Sequence, residues 1–151
     1  MKIYFDTGLL LKLYSFESNS AQAIALIQSH GTPIILSGLQ QTELRNALHR
    51  KRVRGKMTLA QLRKALKDLQ RDLDGGVFFT PQVDWPEVWA QADRLTAKYV
   101  PILSCRTLDV LHIAVALQLG IKLFGTTDQR QLLLARKAVL KIVTLKLLNP
   151  I

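Results

Sequence analysis

Hydrophobic positions along this chain switch between two periods. Short β-type runs, Lys2 to Phe5, Pro33 to Ser37, Val77 to Thr80, Ile121 to Thr126 and Leu140 to Thr144, predict strands. Segments of helical spacing separate them and carry their own boundary signals. Gly31 after Gln28-Ser29-His30 marks a helix end, Thr58 with Gln61 has capping-box spacing, and Asp84-Trp85-Pro86-Glu87 starts a further helix. From Thr58 to Leu73 the leucines fall at 59, 62, 66, 69 and 73, with Arg63, Lys64, Lys67 and Arg71 elsewhere around the helix. Such a one-sided helix needs a partner. The segment from Leu39 to Arg54, with Leu44, Ala47 and Leu48 on one face, supplies one, so residues 39–73 predict an antiparallel helical hairpin.

Strands alternating with helices imply right-handed crossovers and a parallel sheet covered on both faces. The expected fold is an α/β protein, a three-layer α/β/α sandwich around a mainly parallel sheet of about five strands. With 151 residues, 48% of them hydrophobic, and neither linker nor repeat, one domain over residues 1–151 is expected. In such sheets sites form beyond the carboxyl ends of the strands, so acids at those places carry the interest.

Asp6 follows the first strand directly. Asp128 follows Leu123-Phe124-Gly125-Thr126-Thr127 at the exit of another strand. Either could simply cap the next helix. Asp109 opens a helix so apolar all round, from Val110 to Leu117, that it must be central, and a carboxylate there needs compensation or helps the helix dipole. Glu43 lies between Leu39 and Ala47 at four-residue spacings, along the apolar side of its helix. Three acids at strand exits or a first helical turn, with one inward Glu, form a set that separate explanations do not produce together. Carboxylate oxygen suits Mg²⁺ or Mn²⁺, whereas zinc would want histidine or cysteine, and the chain has only His30, His49, His112 and Cys105. Such ions could activate a water for in-line attack on a phosphodiester, with no covalent intermediate.

The single cysteine excludes an internal disulfide and fits a reducing, cytoplasmic setting. A charge at Asp6 interrupts the first apolar stretch too early for a signal peptide. The run from Val110 to Ile121 is too short to span a bilayer, so a soluble protein with no membrane association is expected. The formal charge of +10 points toward polyanions, nucleic acid first. Cations concentrate between Arg45 and Arg71 against the lone acid Asp68, which makes Arg45, Arg50, Lys51, Arg52 and Arg54 candidates for holding a phosphate backbone. The groove of the same hairpin could instead take a protein segment, or a second protomer could cover its leucine face. Aromatic residues make up only 7% of the chain, so no base-stacking platform is evident. The absence of GxGxxG and GxxxxGK[ST] disfavours the usual nucleotide cradles.

Taken in order, Ile3-Tyr4-Phe5-Asp6-Thr7, Ser37 followed by Glu43-Leu44-Arg45-Asn46-Ala47-Leu48, Arg106-Thr107-Leu108-Asp109-Val110-Leu111-His112-Ile113-Ala114, and Thr126-Thr127-Asp128 resemble the successive motifs of the PIN-domain family. The resemblance covers nearly the whole chain and is closest in kind to VapC-like ribonuclease toxins of type II toxin–antitoxin systems. It implies Asp6, Glu43, Asp109 and Asp128 as catalytic metal-binding acids. Thr7 and Thr126 match small hydroxyl positions that support the site, and His112 matches a frequent position after the third acid; a histidine there is more often a packing or supporting group than a catalytic base. The resemblance also implies RNA as substrate, a small antitoxin partner and homodimerisation. Gly8 departs from the pattern: the family usually has Ser there, so a hydrogen bond beside the first acid is lost. A DNA nuclease of the same fold, or a non-catalytic nucleic-acid-binding protein, is the alternative reading.

Overall fold

The computed structural model describes residues 2–145. Among them, five strands and seven helices alternate: β1 (Ile3–Phe5), α1 (Thr7–Leu11), α2 (Ser20–Ser29), β2 (Ile34–Ile35), α3 (Gly38–Val53), α4 (Leu59–Asp74), β3 (Phe78–Phe79), α5 (Trp85–Leu103), α6 (Thr107–Gln118), β4 (Leu123–Gly125), α7 (Gln129–Lys137) and β5 (Lys141–Val143). Every strand pairing is parallel, and each strand lies inside one of the five expected runs. The strands are shorter than those runs because only their centres enter a ladder.

The ladders divide in two. β4 lies between β1 and β5, with Ile3, Tyr4 and Phe5 opposite Leu123, Phe124 and Gly125, while β2 pairs with β3 alone. β1 packs beside β2, and Gln40 ties that seam by donating from Nε2 to the Phe5 carbonyl at 2.6 Å. The expected sheet is therefore five parallel strands in ladders of three and two.

Alternation along the strands sorts the core into layers. Tyr4, Ile35 and Phe124 point to one face, where Val88, Leu95, Ile113 and Leu134 of α5, α6 and α7 cover them. Ile3, Phe5 and Ile34 point to the other, against Leu9 and Leu10 of α1, Ala23 and Ile27 of α2, Leu44 of α3 and Leu69 of α4. Burying these side chains contributes roughly 1.5–3 kcal/mol for each large aliphatic or aromatic group and gives the three-layer sandwich.

The hairpin forms as its leucine spacing predicts. Thr58 and Gln61 exchange hydrogen bonds across the first turn of α4, and Ser37 and Gln40 do the same for α3. Near the turn Leu48, Met57, Leu62 and Ala65 make a small core of their own. The leucine face expected to await a partner is covered largely by this chain: Leu62 and Leu69 are buried, Leu66 and Leu73 half-buried, and Leu59 alone is exposed. Tyr14 closes the far side, donating to Asp72 at 2.7 Å. No helix among the described residues is long and apolar enough to cross a membrane.

Candidate active site

Within each ladder the strands run the same way, and a cleft of about 740 Å³ opens beyond the carboxyl ends of β1 and β4. Asp6, Thr7 and Gly8 from the start of α1, Glu43 from α3, Arg106 to Asp109 at the start of α6, and Thr127, Asp128 and Gln131 around the start of α7 line it. The four acids singled out in the sequence thus meet in one place although they come from four separated segments.

Each acid is held by the element that delivers it. Asp6 is the N-cap of α1, accepting from the Leu9 backbone N–H at 2.7 Å through Oδ1, while Thr126 donates its hydroxyl to Oδ2. The Thr126 oxygen also accepts from the Asp128 backbone N–H at 2.9 Å, coupling the exits of β1 and β4. Asp128 caps α7 through the N–H groups of Arg130 and Gln131 at 2.9 and 3.1 Å. Asp109 sits in the first turn of α6 and accepts from the Arg106 backbone N–H at 3.0 Å. The capping readings of Asp6 and Asp128 and the first-turn reading of Asp109 are therefore correct descriptions of the same groups that line the cleft. Glu43 caps nothing: mid-helix, it accepts from Thr7 Oγ1 at 2.7 Å and contacts His112 Nε2 at 2.6 Å.

His112 is buried on the apolar α6, with both ring nitrogens committed: Nδ1 lies 2.8 Å from the Tyr4 hydroxyl and Nε2 faces Glu43. Burial pushes the Tyr4 hydroxyl far above the ordinary phenol range, so it keeps its proton beside Nδ1. The result is a buried chain from Tyr4 through His112 to Glu43.

The acids differ in electrostatics. Burial raises the Asp6 carboxyl above its usual range despite the opposing Thr126 and Leu9 hydrogen bonds. Burial also pushes Glu43 upward, but the His112 and Thr7 hydrogen bonds outweigh it and leave that carboxyl below its usual range. Asp109 is likewise lowered, because the Arg106 and Gln131 hydrogen bonds outweigh its desolvation.

The donor set fits a hard divalent cation in kind: four carboxylates share one polar cleft, and Gln131 Oε1 is a buried oxygen without a hydrogen-bond partner. Among the described residues no three His, Cys, Asp or Glu groups stand together in a ligating arrangement.

The basic residues are placed differently. Arg45, Arg50, Lys51, Arg52 and Arg54 do not line the cleft. They follow α3 outward from Glu43, the last about 16 Å along the axis at 1.5 Å per residue. Arg50, Arg52 and Arg54 are exposed, Arg45 donates to Gln41 at 3.3 Å, and Lys51 is paired with Glu17 at 2.6 Å. The cation in the cleft is Arg106, which sequence reading missed, although its three-residue spacing to Asp109 is a helical ion-pair signal. Gln40, Tyr4 and Gln131 were missed as well: Gln40 stands at capping-box spacing from Ser37, but the partners that tie the three to the site, the Phe5 carbonyl, His112 and Asp109, lie on other elements. At Gly8 an added Cβ would stand 3.6 Å from Asp6 Oδ1, an ordinary contact, so the family's serine would fit.

A parallel α/β sandwich gathering acids at its strand ends, braced by hydroxyls and an imidazole, defines the class of carboxylate-site nucleases. The PIN-domain family model matches residues 3–138, and the chain belongs to the PIN-domain family. PIN domains are in general nucleases. Among solved structures, the crystal structure of FitAcB from Neisseria gonorrhoeae is similar with a TM-score of 0.60 at 16% identity, covering 93% of this chain and 95% of that one. At that identity the likeness shows the shared fold. No curated protein sequence matches the chain.

Proposed function

We propose that this chain is a single-domain, Mg²⁺- or Mn²⁺-dependent endoribonuclease of the cytoplasm, the toxin half of a type II toxin–antitoxin pair. The observation that carries the proposal is the convergence of Asp6, Glu43, Asp109 and Asp128 on one cleft at the carboxyl edge of the sheet. These four acids would hold the metal, which when bound supplies Lewis acidity and charge neutralisation at the scissile phosphodiester. Thr126 orients Asp6, and Thr7 with His112 orients Glu43, so each carboxylate is positioned before substrate arrives. The exposed arginines of α3 bind the backbone of the RNA beyond the cleft. RNA as substrate, the small antitoxin partner and the homodimer rest on the motif resemblance to VapC-like chains.

The test is incubation of purified protein with single-stranded and structured RNA and matching DNA, in Mg²⁺, Mn²⁺ or EDTA, beside Asp6→Asn and Asp109→Asn. Expected is metal-dependent RNA cleavage that falls to background in both folded variants. Cleavage surviving in both would refute the acid assignment, and cleavage of DNA alone would replace RNA by DNA as the substrate.

A further inference from the structure

We propose that Arg106 is a built-in counter-ion of the acidic cleft, which exchanges its carboxylate partners for a substrate phosphate when a divalent cation binds. This rests on the nuclease reading above.

Arg106 holds Asp109 twice. Its backbone N–H and its Nε reach the same oxygen, Oδ2, at 3.0 and 3.2 Å, and its Nη2 extends to within 3.9 Å of Asp128 Oδ2. One guanidinium therefore lies between the acid from α6 and the acid from α7. Among the described residues no other Lys or Arg lines the cleft. A divalent cation needs those lone pairs and carries more charge, so guanidinium and metal compete for the same oxygens and repel each other once both are present.

The two ends of Arg106 are suited to such an exchange. Its backbone is the N-cap of α6, fixed by the Asp109 carboxylate, whereas its side chain is 66% exposed and can turn while remaining tethered at the cleft mouth. On the opposite side of Asp109, the Gln131 amide donates to Oδ1 at 3.2 Å, so that carboxylate stays oriented when Arg106 leaves. A planar guanidinium released beside the metal is shaped to grip a phosphate through paired N–H donors, a task the arginines farther along α3 are not placed to perform.

Mn²⁺ binding to the full chain is to be followed by electron paramagnetic resonance, and binding of a short fluorescein-labelled single-stranded RNA by anisotropy in Ca²⁺. Arg106→Gln should bind Mn²⁺ about fivefold tighter, having lost the competing cation, and the RNA about tenfold weaker, having lost a charged phosphate contact. Arg106→Lys, which keeps charge without the fork, should gain about twofold in Mn²⁺ affinity and lose part of the RNA affinity; it decides the matter should the glutamine variant fail to fold in a circular dichroism melt. A merely structural arginine would weaken Mn²⁺ binding on replacement. Equal or weaker Mn²⁺ affinity in the folded variants, with normal binding by the unaltered chain, overturns the role of Arg106 alone; no Mn²⁺ binding by any of them overturns the metal reading with it.

Discussion

A carboxylate that both caps a helix and lines a cleft is under two demands, and Asp6 shows the cost. Its oxygens are satisfied by Leu9 and Thr126, yet with only 3% of the residue exposed, burial outweighs those bonds and raises its proton affinity. The folded chain then binds the Asp6 proton more tightly than the unfolded chain does. Its contribution to stability is fully present below the ordinary carboxylate range and is lost as pH rises through the raised folded value. In EDTA, Asp6→Asn should therefore melt above the unaltered protein at pH 8, with the difference shrinking toward about pH 4, the usual carboxylate value. A gap that stays constant across thermal melts over that range would contradict the burial argument. Asparagine can keep the Leu9 bond through its oxygen, but its amide must donate to the Thr126 oxygen where the carboxylate accepted, so the pH dependence of the difference rather than its size isolates the charge.

Between elements, the closest constraint is the approach of β4 to β1. Gly125 stands opposite Phe5 in the ladder, and an added Cβ would lie 2.4 and 2.8 Å from the Phe5 ring, inside any real contact. Phe5 is fully buried and cannot retreat. Gly125→Ala should cost about 1–3 kcal/mol in urea denaturation, the usual penalty for overpacking. It should also lower activity, because the Gly125 carbonyl accepts from the Asp6 N–H at 2.8 Å and the next residue, Thr126, holds the Asp6 carboxylate. Unchanged stability would show that β4 can shift without consequence. The hairpin is set by more local means: reciprocal caps start both helices, and the leucine stripe of α4 packs inward on α3.

For the molecule as a whole, charge is unevenly distributed. The chain carries a net charge of +10 while its cleft gathers four acids, and Arg50, Arg52 and Arg54 extend away from it on an exposed helix end. Binding to RNA should weaken steeply with salt. Arg50→Ala with Arg52→Ala should reduce the slope of log affinity against log salt by about one per arginine, with the cleavage rate at saturating RNA little changed. An unaltered slope in filter binding across a salt series would place the RNA track elsewhere on the surface.

Periodicity and caps are short-range properties, which is why the chain alone announced its strand centres, the helical hairpin, the apolar α6 and the suspicious acids at strand exits. The depth of burial of Asp109 and His112 was also legible, because an all-round apolar helix has nowhere to lie but inside. Contacts between elements distant in sequence leave no such periodic mark. The Tyr4–His112–Glu43 chain, the Gln40 tie to Phe5, the division of the strands into two ladders and the reach of Arg106 beyond Asp109 to Asp128 arise only when the parallel sheet brings its carboxyl ends to one edge. Local pattern selects which residues are buried or capped; folding selects their partners, because hydrogen bonds and ion pairs depend on distances of a few ångströms that sequence separation does not encode.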